Sequence, residues 1–370
     1  MQFEFATAGR IVFGRGAAKP LAKLVAAFGQ RPLLVTGRRK PSVEIKATRF
    51  VVAGEPTTDL VQEGVRTYLS ADCDCVVSIG GGSVIDAGKA IAALVTNGGD
   101  LFDYLEVIGA GKPLSQAPAP FIAVPTTAGT GSEVTRNAVL GSPQHRVKVS
   151  LRSLLMLPRL AIVDPDLTRD LPAAITGSAG MDALTQVIEP FVSSRANDFV
   201  DGYCLEGIKR AARSLRRASA EDMDAREDMS FASLLGGLSL ANAGLGVVHG
   251  FASPIGGMFD APHGAICAAI LPHGMAANIK ALRTRAAEHP SLARYGVIAK
   301  LLSGDERPDA AVMWVQDLCS KLQVPRLSTY GITHEHVDEL CEKAAKASSM
   351  KANPIELTPE ELQGTLAASL

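Results

Sequence analysis

Two histidines in one apolar, glycine-rich stretch are the first candidates for chemistry: His249 and His263 in GVVHGFASPIGGMFDAPHG. They are 263 − 249 = 14 residues apart, which on one continuous helix would separate them by about four turns, roughly 21 Å. One metal ion would not reach both. Pro254 and Pro262, together with two glycines, argue against an unbroken helix. The stretch therefore predicts a helix that ends after His249, a loop, and a new helix near His263, a bend that would let both imidazoles bind one ion.

A third candidate ligand lies upstream, in SAGMDALTQVIEPF (residues 178–191). The spacing predicts a helix with Ser178 as its N-cap, and it places Asp182 and Gln186 four residues apart on one face. Asp182 has apolar neighbours, where a carboxylate needs a partner. One aspartate and two histidines are a proper ligand set for a catalytic divalent ion with an open position. The same residues fit satisfied polar groups in a helical core equally well.

A glycine-rich turn is the candidate site for a dinucleotide. In VVSIGGGSVIDAGKA, Gly80, Gly81 and Gly82 end a hydrophobic strand, and a helix is predicted to start at Ser83. Such a turn lets backbone approach a ligand closely, and the helix N-terminus offers free N–H groups to a pyrophosphate. The turn is neither a G-x-G-x-x-G fingerprint nor a Walker motif.

Two further loops follow predicted strands. VPTTAGTGSEVT concentrates hydroxyl groups that suit ribose and phosphate oxygens, among them Thr126, Thr127 and Ser132. Loops at the carboxyl ends of strands are where open α/β sheets bind ligands. The strand RPLLVTG ends at Gly37 and is followed by two arginines, without the acid that would repel a 2′-phosphate. We therefore expect NADP(H) to be tolerated or preferred, although merely solvated arginines explain the pattern nearly as well.

The elements that must position these residues change character along the chain. Residues 1–165 alternate buried strands with helical patterns, which predicts a parallel α/β nucleotide-binding domain. The predicted strands are 31–37, 49–54, 75–83 and 120–127, and the predicted helices are 57–71 and 83–97. Residues 166–370 predict a helical metal and substrate domain. Its predicted helices are 178–194, 198–216, 225–243, 264–283, 308–322, 333–348 and 358–369.

Composition limits the class of protein. The chain has 370 residues and a formal net charge of -1, which suits two globular domains and leaves no basic footprint for nucleic acid. The N-terminus lacks the apolar core of a signal peptide, and no run of about 18 apolar residues free of charge and glycine predicts a membrane span. The six cysteines lack metal-type or disulfide-type spacing, so we expect small core residues in a reducing cytoplasm.

An ordered set of motifs resembles the iron-containing (group III) alcohol dehydrogenase family, and the resemblance runs from GRIVFGRG to the C-terminus. The motifs are GGGSVIDAGKAIA, PTTAGTGSEVT, GMDALTQVIE, VHGFASPIGGMFDAPHGAICAAILPH and SSMKANPIELTPEEL. The resemblance implies a dehydroquinate synthase-like fold, with an α/β N-terminal dinucleotide-binding domain and an all-α C-terminal domain. It also implies NAD or NADP, a divalent metal (Fe or Zn), an alcohol or carbonyl substrate, and a homo-oligomer.

The resemblance also assigns residues by position. Gly80 to Ser83 match the pyrophosphate loop, and four further residues match cofactor contacts or neighbours: Asp86, Thr126, Thr127 and Lys148. Lys148 is thereby a candidate for catalysis as well as cofactor binding. Asp182, His249 and His263 match three of the four metal ligands.

Three features depart from the family pattern. Gln186 stands where the family usually has the fourth ligand, a histidine, and Ser253 where many members have a histidine near the substrate. Only a short segment, RRKPSVEIKATRF, separates Gly37 from the next strand, where the family usually fits a whole helix. His273 is a candidate proton relay, and a helix-capping role is slightly favoured.

The leading hypothesis is hydride transfer between a nicotinamide cofactor and an alcohol or its carbonyl partner, assisted by an ion on Asp182, His249 and His263. The main alternative is a metal-free reductase of an activated oxo acid, similar to maleylacetate reductases, with Arg136 or Arg195 binding the carboxylate. A lyase of the dehydroquinate synthase kind and a non-catalytic binding protein remain as weaker alternatives.

Overall fold

A computed structural model describes residues 2–220 and 222–370. The chain forms two compact units: one is Phe5–Asp170, and the other is Leu171–Leu370 together with the N-terminal residues up to Glu4. The sequence placed this boundary after residue 165. The α/β character of the first unit and the helical character of the second are as predicted.

A parallel sheet forms the centre of the first unit. The strands are β1 Ile11–Phe13, β2 Pro32–Thr36, β3 Thr48–Val51, β4 Cys75–Gly80, β5 Phe121–Pro125, β6 Asn137–Ser142, β7 Val147–Arg152 and β8 Leu160–Val163. All but β6 and β7 pair in parallel, in the order β1-β8-β5-β4-β2-β3. Every residue of β2, β4, β5 and β8 is buried, as expected for strands covered on both faces.

Helices cover the two faces of this sheet. They are α1 Leu21–Val25, α2 Thr58–Ser70, α3 Gly82–Asn97 and α4 Leu101–Tyr104. Neighbouring residues of β4 point to opposite faces: Val76 belongs to the core cluster that includes Ile91 of α3, and Val77 to the cluster that includes Leu21 of α1. The sheet thus holds two apolar layers and leaves its loops free for ligands.

The crossover from β2 to β3 contains no helix. Residues 37–47 run as coil, and Val43, Ile45 and Ala47 pack against the core cluster that α1 also covers. Alternate side chains of an extended segment therefore provide apolar cover at a place where parallel sheets usually use a helix. The short segment noted in the sequence is thus an ordered connection.

The hairpin of β6 and β7 was not predicted. Its strands pair antiparallel from Asn137 with Arg152 to Ser142 with Val147. Residues of β6 alternate between half-buried and buried positions, with Ala138 and Leu140 in the core. This alternation is a readable period-2 signal, but a glycine near its end and few β-branched residues obscured it.

The second unit is built of helices. They are α5 Ala173–Val192, α6 Asp198–Ser219, α7 Met223–Ala243, α8 Val247–Met258, α9 His263–Arg285, α10 Pro290–Ser303, α11 Pro308–Lys321, α12 Val337–Lys346 and α13 Pro359–Ala368. The seven predicted helices all have counterparts, whereas α8 was predicted only as far as His249 and α10 was not predicted. In the described residues, α9 is long and apolar enough to cross a membrane by length and composition, yet 72% of that window is buried. The pair α7 and α8 passes the same test only with a bend of 98°.

Two details of the predicted helices were wrong. The helix that carries His249 does not end after that residue but continues through Pro254 to Met258. Pro254 has no N–H to donate, and the burial of the Phe251 and Ile255 side chains offsets the loss of that hydrogen bond. Ser178 is not an N-cap, since α5 starts five residues earlier at Ala173 and the Ser178 hydroxyl donates to the Ile175 carbonyl.

Candidate active site

Three predicted cofactor loops lie at one edge of the sheet in the first unit. Because β2, β4 and β5 are parallel neighbours, the residues that follow them share that edge. Gly37 follows β2, the triple glycine ends β4, and Thr126 and Thr127 follow β5. The Thr126 N–H donates to the Gly80 carbonyl at 2.9 Å, so the last two loops are also joined.

The start of α3 leaves its backbone donors available. Gly81 is the N-cap, and no side chain caps the first turn. A Cβ on Gly82 would lie 2.8 Å from the Thr130 side chain, so glycine is what allows the two loops to approach this closely. The Val84 and Ile85 N–H groups donate to the Gly81 carbonyl at 3.0 and 3.1 Å. In the described residues this leaves the N–H groups of Gly82 and Ser83 for an anionic ligand such as a pyrophosphate.

Asp86 and Ser132, two predicted cofactor contacts, bind each other. The Ser132 hydroxyl donates to Oδ1 of Asp86, and the Val139 N–H donates to Oδ2 at 3.0 Å. Burial raises the pKa of the Asp86 carboxyl, against the Lys89 ammonium 3.7 Å away. Both residues therefore fasten the second loop to α3, and direct contact with a cofactor stays a prediction.

A buried lysine beneath this loop was missed by the sequence analysis. Lys89 donates to the Ser132 carbonyl at 2.8 Å, the Thr135 hydroxyl at 2.9 Å and the Asn137 carbonyl at 2.7 Å. Burial lowers the pKa of Lys89 to about 8, and burial raises the pKa of the nearby Glu133 to about 7. Lys89 was missed because it is a single lysine in an apolar helical pattern, and no neighbouring residue in the sequence indicates that its ammonium group is buried.

Lys148 lies on β7, where its ammonium is 3.2 Å from Oε2 of Glu55 and its side chain is 9% exposed. Its predicted place near the cofactor stays a prediction.

Near Gly37, an unpredicted residue shapes the loop. Arg49 of β3 donates to the Gly37 carbonyl at 3.1 Å and the Arg38 carbonyl at 3.2 Å. The two following arginines are exposed, as a 2′-phosphate site requires.

In the second unit, helices α5, α8 and α9 bring the predicted metal ligands together. Oδ1 of Asp182 lies 3.3 Å from Nε2 of His249 and 3.7 Å from Nε2 of His263. The two imidazole centroids are 5.4 Å apart. The loop at residues 259–262 turns the chain between α8 and α9, so the predicted convergence of the histidines is present although the helix boundaries differ.

A fourth side chain, which the sequence analysis placed among the core cysteines, points at the same spot. Sγ of Cys267 lies 3.8 Å from Nε2 of His249 and 3.7 Å from Nε2 of His263. One donor atom from each of Asp182, His249, His263 and Cys267 lies within 4.8 Å of all the others. The missed signal was the i,i+4 spacing of His263 and Cys267 on one helix.

A buried glutamate orients the first histidine. Oε2 of Glu189 lies 2.7 Å from Nδ1 of His249, and Oε1 accepts from the Val248 N–H at 2.7 Å. A carboxylate only accepts, so Nδ1 donates its proton to Glu189, and Nε2 is the ring nitrogen that is left to bind a cation. Asn353 accepts from the Val247 N–H at 3.0 Å, so Glu189 and Asn353 together cap α8, which lacks a cap of its own.

The cluster fits a divalent cation. Among the described residues, Oδ1 of Asp182 is buried without a hydrogen-bond partner, and so is Oε1 of Gln186. Such orphaned oxygens are costly unless a cation binds them. Burial lowers the pKa of His263, but the Cys267 sulfur and the Asp182 carboxylate raise it to about 9. The surroundings thus favour positive charge at this point.

Gln186 lies one turn from Asp182 on α5, whereas His273 lies away from the cluster. Burial raises the pKa of Asp182, yet the His263 and His249 rings and a hydrogen bond from Gln186 lower it overall, so Gln186 supports the aspartate; ligation by Gln186 stays a prediction. His273 lies in the interior of α9, so the capping interpretation was wrong. It is 273 − 263 = 10 residues beyond His263, roughly 15 Å along the helix, too far to join the cluster.

Comparisons with known proteins identify the family to which both units belong. The family described as iron-containing alcohol dehydrogenase matches residues 8–165, and its C-terminal counterpart matches residues 176–370. A 1,3-propanediol dehydrogenase from Klebsiella pneumoniae is 35% identical over 84% of this chain and 80% of its own. A crystal structure of a 1,3-propanediol oxidoreductase superposes with a TM-score of 0.92, at 31% identity and 100% coverage of both chains.

One similar structure contains the cofactor. Sulfoacetaldehyde reductase from Bifidobacterium kashiwanohense, in complex with NAD+, superposes with a TM-score of 0.86 at 28% identity, covering 100% of this chain and 99% of that one. Both units are therefore matched by proteins of one family, which uses a nicotinamide cofactor and a divalent metal. The chain belongs to the iron-containing alcohol dehydrogenase family.

Proposed function

We propose that this protein catalyses the reversible oxidation of a small alcohol to its aldehyde or ketone, with NAD or NADP as the hydride carrier and a divalent ion bound by Asp182, His249 and His263. The observation that carries the proposal is the convergence of these side chains around a buried carboxylate oxygen that has no hydrogen-bond partner in the described residues. When bound, the ion polarises the substrate oxygen, and the nicotinamide accepts or donates the hydride.

The chain's own residues prepare this chemistry. Glu189 fixes the His249 ring so that its lone pair, not its proton, faces the ion site. Phe251 of α8 and Ile266 of α9 are completely buried, whereas the His263 side chain is 35% exposed, so the cluster has an apolar interior side and one side that solvent reaches. The apolar side strengthens the electrostatic effect of a bound cation on a developing alkoxide.

The substrate proposal rests on relatives. Those named above act on 1,3-propanediol and sulfoacetaldehyde, both small molecules with a polar group beyond the reacting carbon. We infer a small polar alcohol or diol for this chain. A cytoplasmic homo-oligomer stays a prediction; the six free cysteines suit a reducing compartment.

The test is a screen of protein purified without chelator. NADH and NADPH would each be assayed with small aldehydes, hydroxyaldehydes and oxo acids, before and after chelator treatment. The proposal expects aldehyde reduction that chelator removes and added zinc or iron restores. Reduction of oxo acids alone, resistant to chelator, would overturn it in favour of a metal-free reductase.

A further inference from the structure

We propose that Cys267 is a ligand of the divalent ion, so that the centre is an Asp-His-His-Cys site that prefers zinc to iron. The inference rests on the proposed function, because it concerns the same ion. It replaces the expectation that Gln186 occupies the fourth position.

Four of the six separations between the donor atoms are close to those of a tetrahedral zinc site, and the other two are at most 4.8 Å. Zinc binds nitrogen and oxygen at about 2.0–2.1 Å and sulfur at about 2.3 Å, so tetrahedral edges are roughly 3.3 Å between nitrogen and oxygen and roughly 3.6 Å between nitrogen and sulfur. The separations from Asp182 Oδ1 to the two imidazole nitrogens are 3.3 and 3.7 Å. Those from the sulfur are 3.8 and 3.7 Å.

Burial and missing hydrogen bonds support the assignment in addition to the distances. Cys267 is completely buried, and Asp182 is 1% exposed. Oδ1 of Asp182, the oxygen nearest to the two imidazole rings, has no hydrogen-bond partner in the described part of the chain. Since Glu189 holds the proton of His249 on the far side of the ring, the atoms that converge are mostly electron-pair donors. A shared cation would satisfy all of them at once.

The proposal places Gln186 beside the four ligands, and its Oε1, which is buried without a hydrogen-bond partner in the described residues, faces no assigned donor. Gln186 follows Asp182 by four residues and therefore lies one turn further along the same face of α5. A thiolate is a softer ligand than an amide oxygen and shifts preference toward zinc. With these four protein ligands, a substrate oxygen would bind as a fifth ligand, and catalytic zinc sites can expand to that number.

Cobalt(II) substitution of the full-length protein tests the assignment directly. Apoprotein would be titrated with Co(II), and its spectrum compared among wild type, Cys267→Ser, Cys267→Ala and the control Cys204→Ala. Cys204 is a fully buried cysteine of the same unit whose sulfur donates to Ser239 instead. Zinc and iron affinities would be measured by competition with a chromophoric chelator.

The proposal expects an intense near-ultraviolet thiolate-to-cobalt charge-transfer band in wild type and in the Cys204 control, and its loss in both Cys267 variants. Zinc affinity should fall at least about tenfold in Cys267→Ala, with a smaller loss for iron. Tight Co(II) binding by wild type without the band would overturn the cysteine ligand but leave the proposed function intact. Failure of wild type to bind Co(II) or zinc would overturn both.

Discussion

The carboxylate of Glu189 lies 2.7 Å from Nδ1 of His249 and fixes which ring nitrogen faces the other candidate metal ligands. The same carboxylate caps α8 through the Val248 N–H. One buried side chain thereby sets both the start of the helix and the orientation of its histidine. This coupling explains why a helix without its own cap begins two residues before His249.

Replacing Glu189 with Gln tests that coupling. The amide would keep the shape but could present a donor to Nδ1 and would remove the charge that supports the imidazole. Zinc affinity should fall roughly 10–100-fold. Competition with a chromophoric chelator measures it, with the exposed Glu288→Gln as control. An unchanged affinity would show that Glu189 serves only the helix.

The triple-glycine turn gives a second prediction. In Gly82→Ala the new Cβ would lie 2.8 Å from Thr130, so it would push apart the two loops that we assign to the cofactor. The KM for the nicotinamide cofactor should rise at least about tenfold, equivalent to about 1.4 kcal/mol, while zinc content stays constant. Gly54→Ala is the matched control because its Cβ would meet nothing within 4 Å. Equal KM values in the two variants would contradict the assignment.

Cofactor preference follows from the loop after β2. Arg49 holds the Gly37 and Arg38 carbonyls, which leaves the Arg38 side chain exposed beside a residue that cannot repel a phosphate. We expect kcat/KM for NADPH at least equal to that for NADH, and Arg38→Ala should lower only the NADPH value, by roughly tenfold. Steady-state kinetics with both cofactors decides this. A tenfold advantage for NADH in wild type would refute it.

Buried Glu133 predicts a pH dependence of stability. Its pKa is raised from 4.5 to about 7 by burial, so between these values the folded protein keeps a proton that the unfolded chain has released. Stability present below pH 4.5 is therefore lost as pH rises through about 7, by about 1.4 kcal/mol per unit of raised pKa. The titration of Lys89 affects the pH dependence of stability only between about 8 and 10.5, where stability rises with pH because the folded protein has already released this proton.

Urea midpoints between pH 5 and 7 measure this slope. We expect wild type to lose stability across the window and Glu133→Gln to lose much less, because glutamine does not titrate. The exposed Glu63→Gln should behave as wild type. Parallel curves for wild type and Glu133→Gln would contradict the assignment.

The sequence predicted the two units, the buried strands and the loops at their ends, because strand runs and glycine turns are local signals. It also predicted that His249 and His263 converge, from the prolines between them. It missed Lys89 and Cys267, because each lies in an apolar helical pattern and gains its meaning only from residues far along the chain. Glu189 was likewise read as part of a helix, since nothing local pairs it with His249, 249 − 189 = 60 residues away.

The central claim is that Asp182, His249 and His263 bind the ion on which activity depends. Metal content and aldehyde reduction, measured together on wild type and His263→Ala purified without chelator, test it most directly. We expect about one zinc or iron per wild-type chain, and loss of both metal and turnover in a variant that keeps the wild-type circular dichroism spectrum. A folded His263→Ala protein that retains turnover would contradict it.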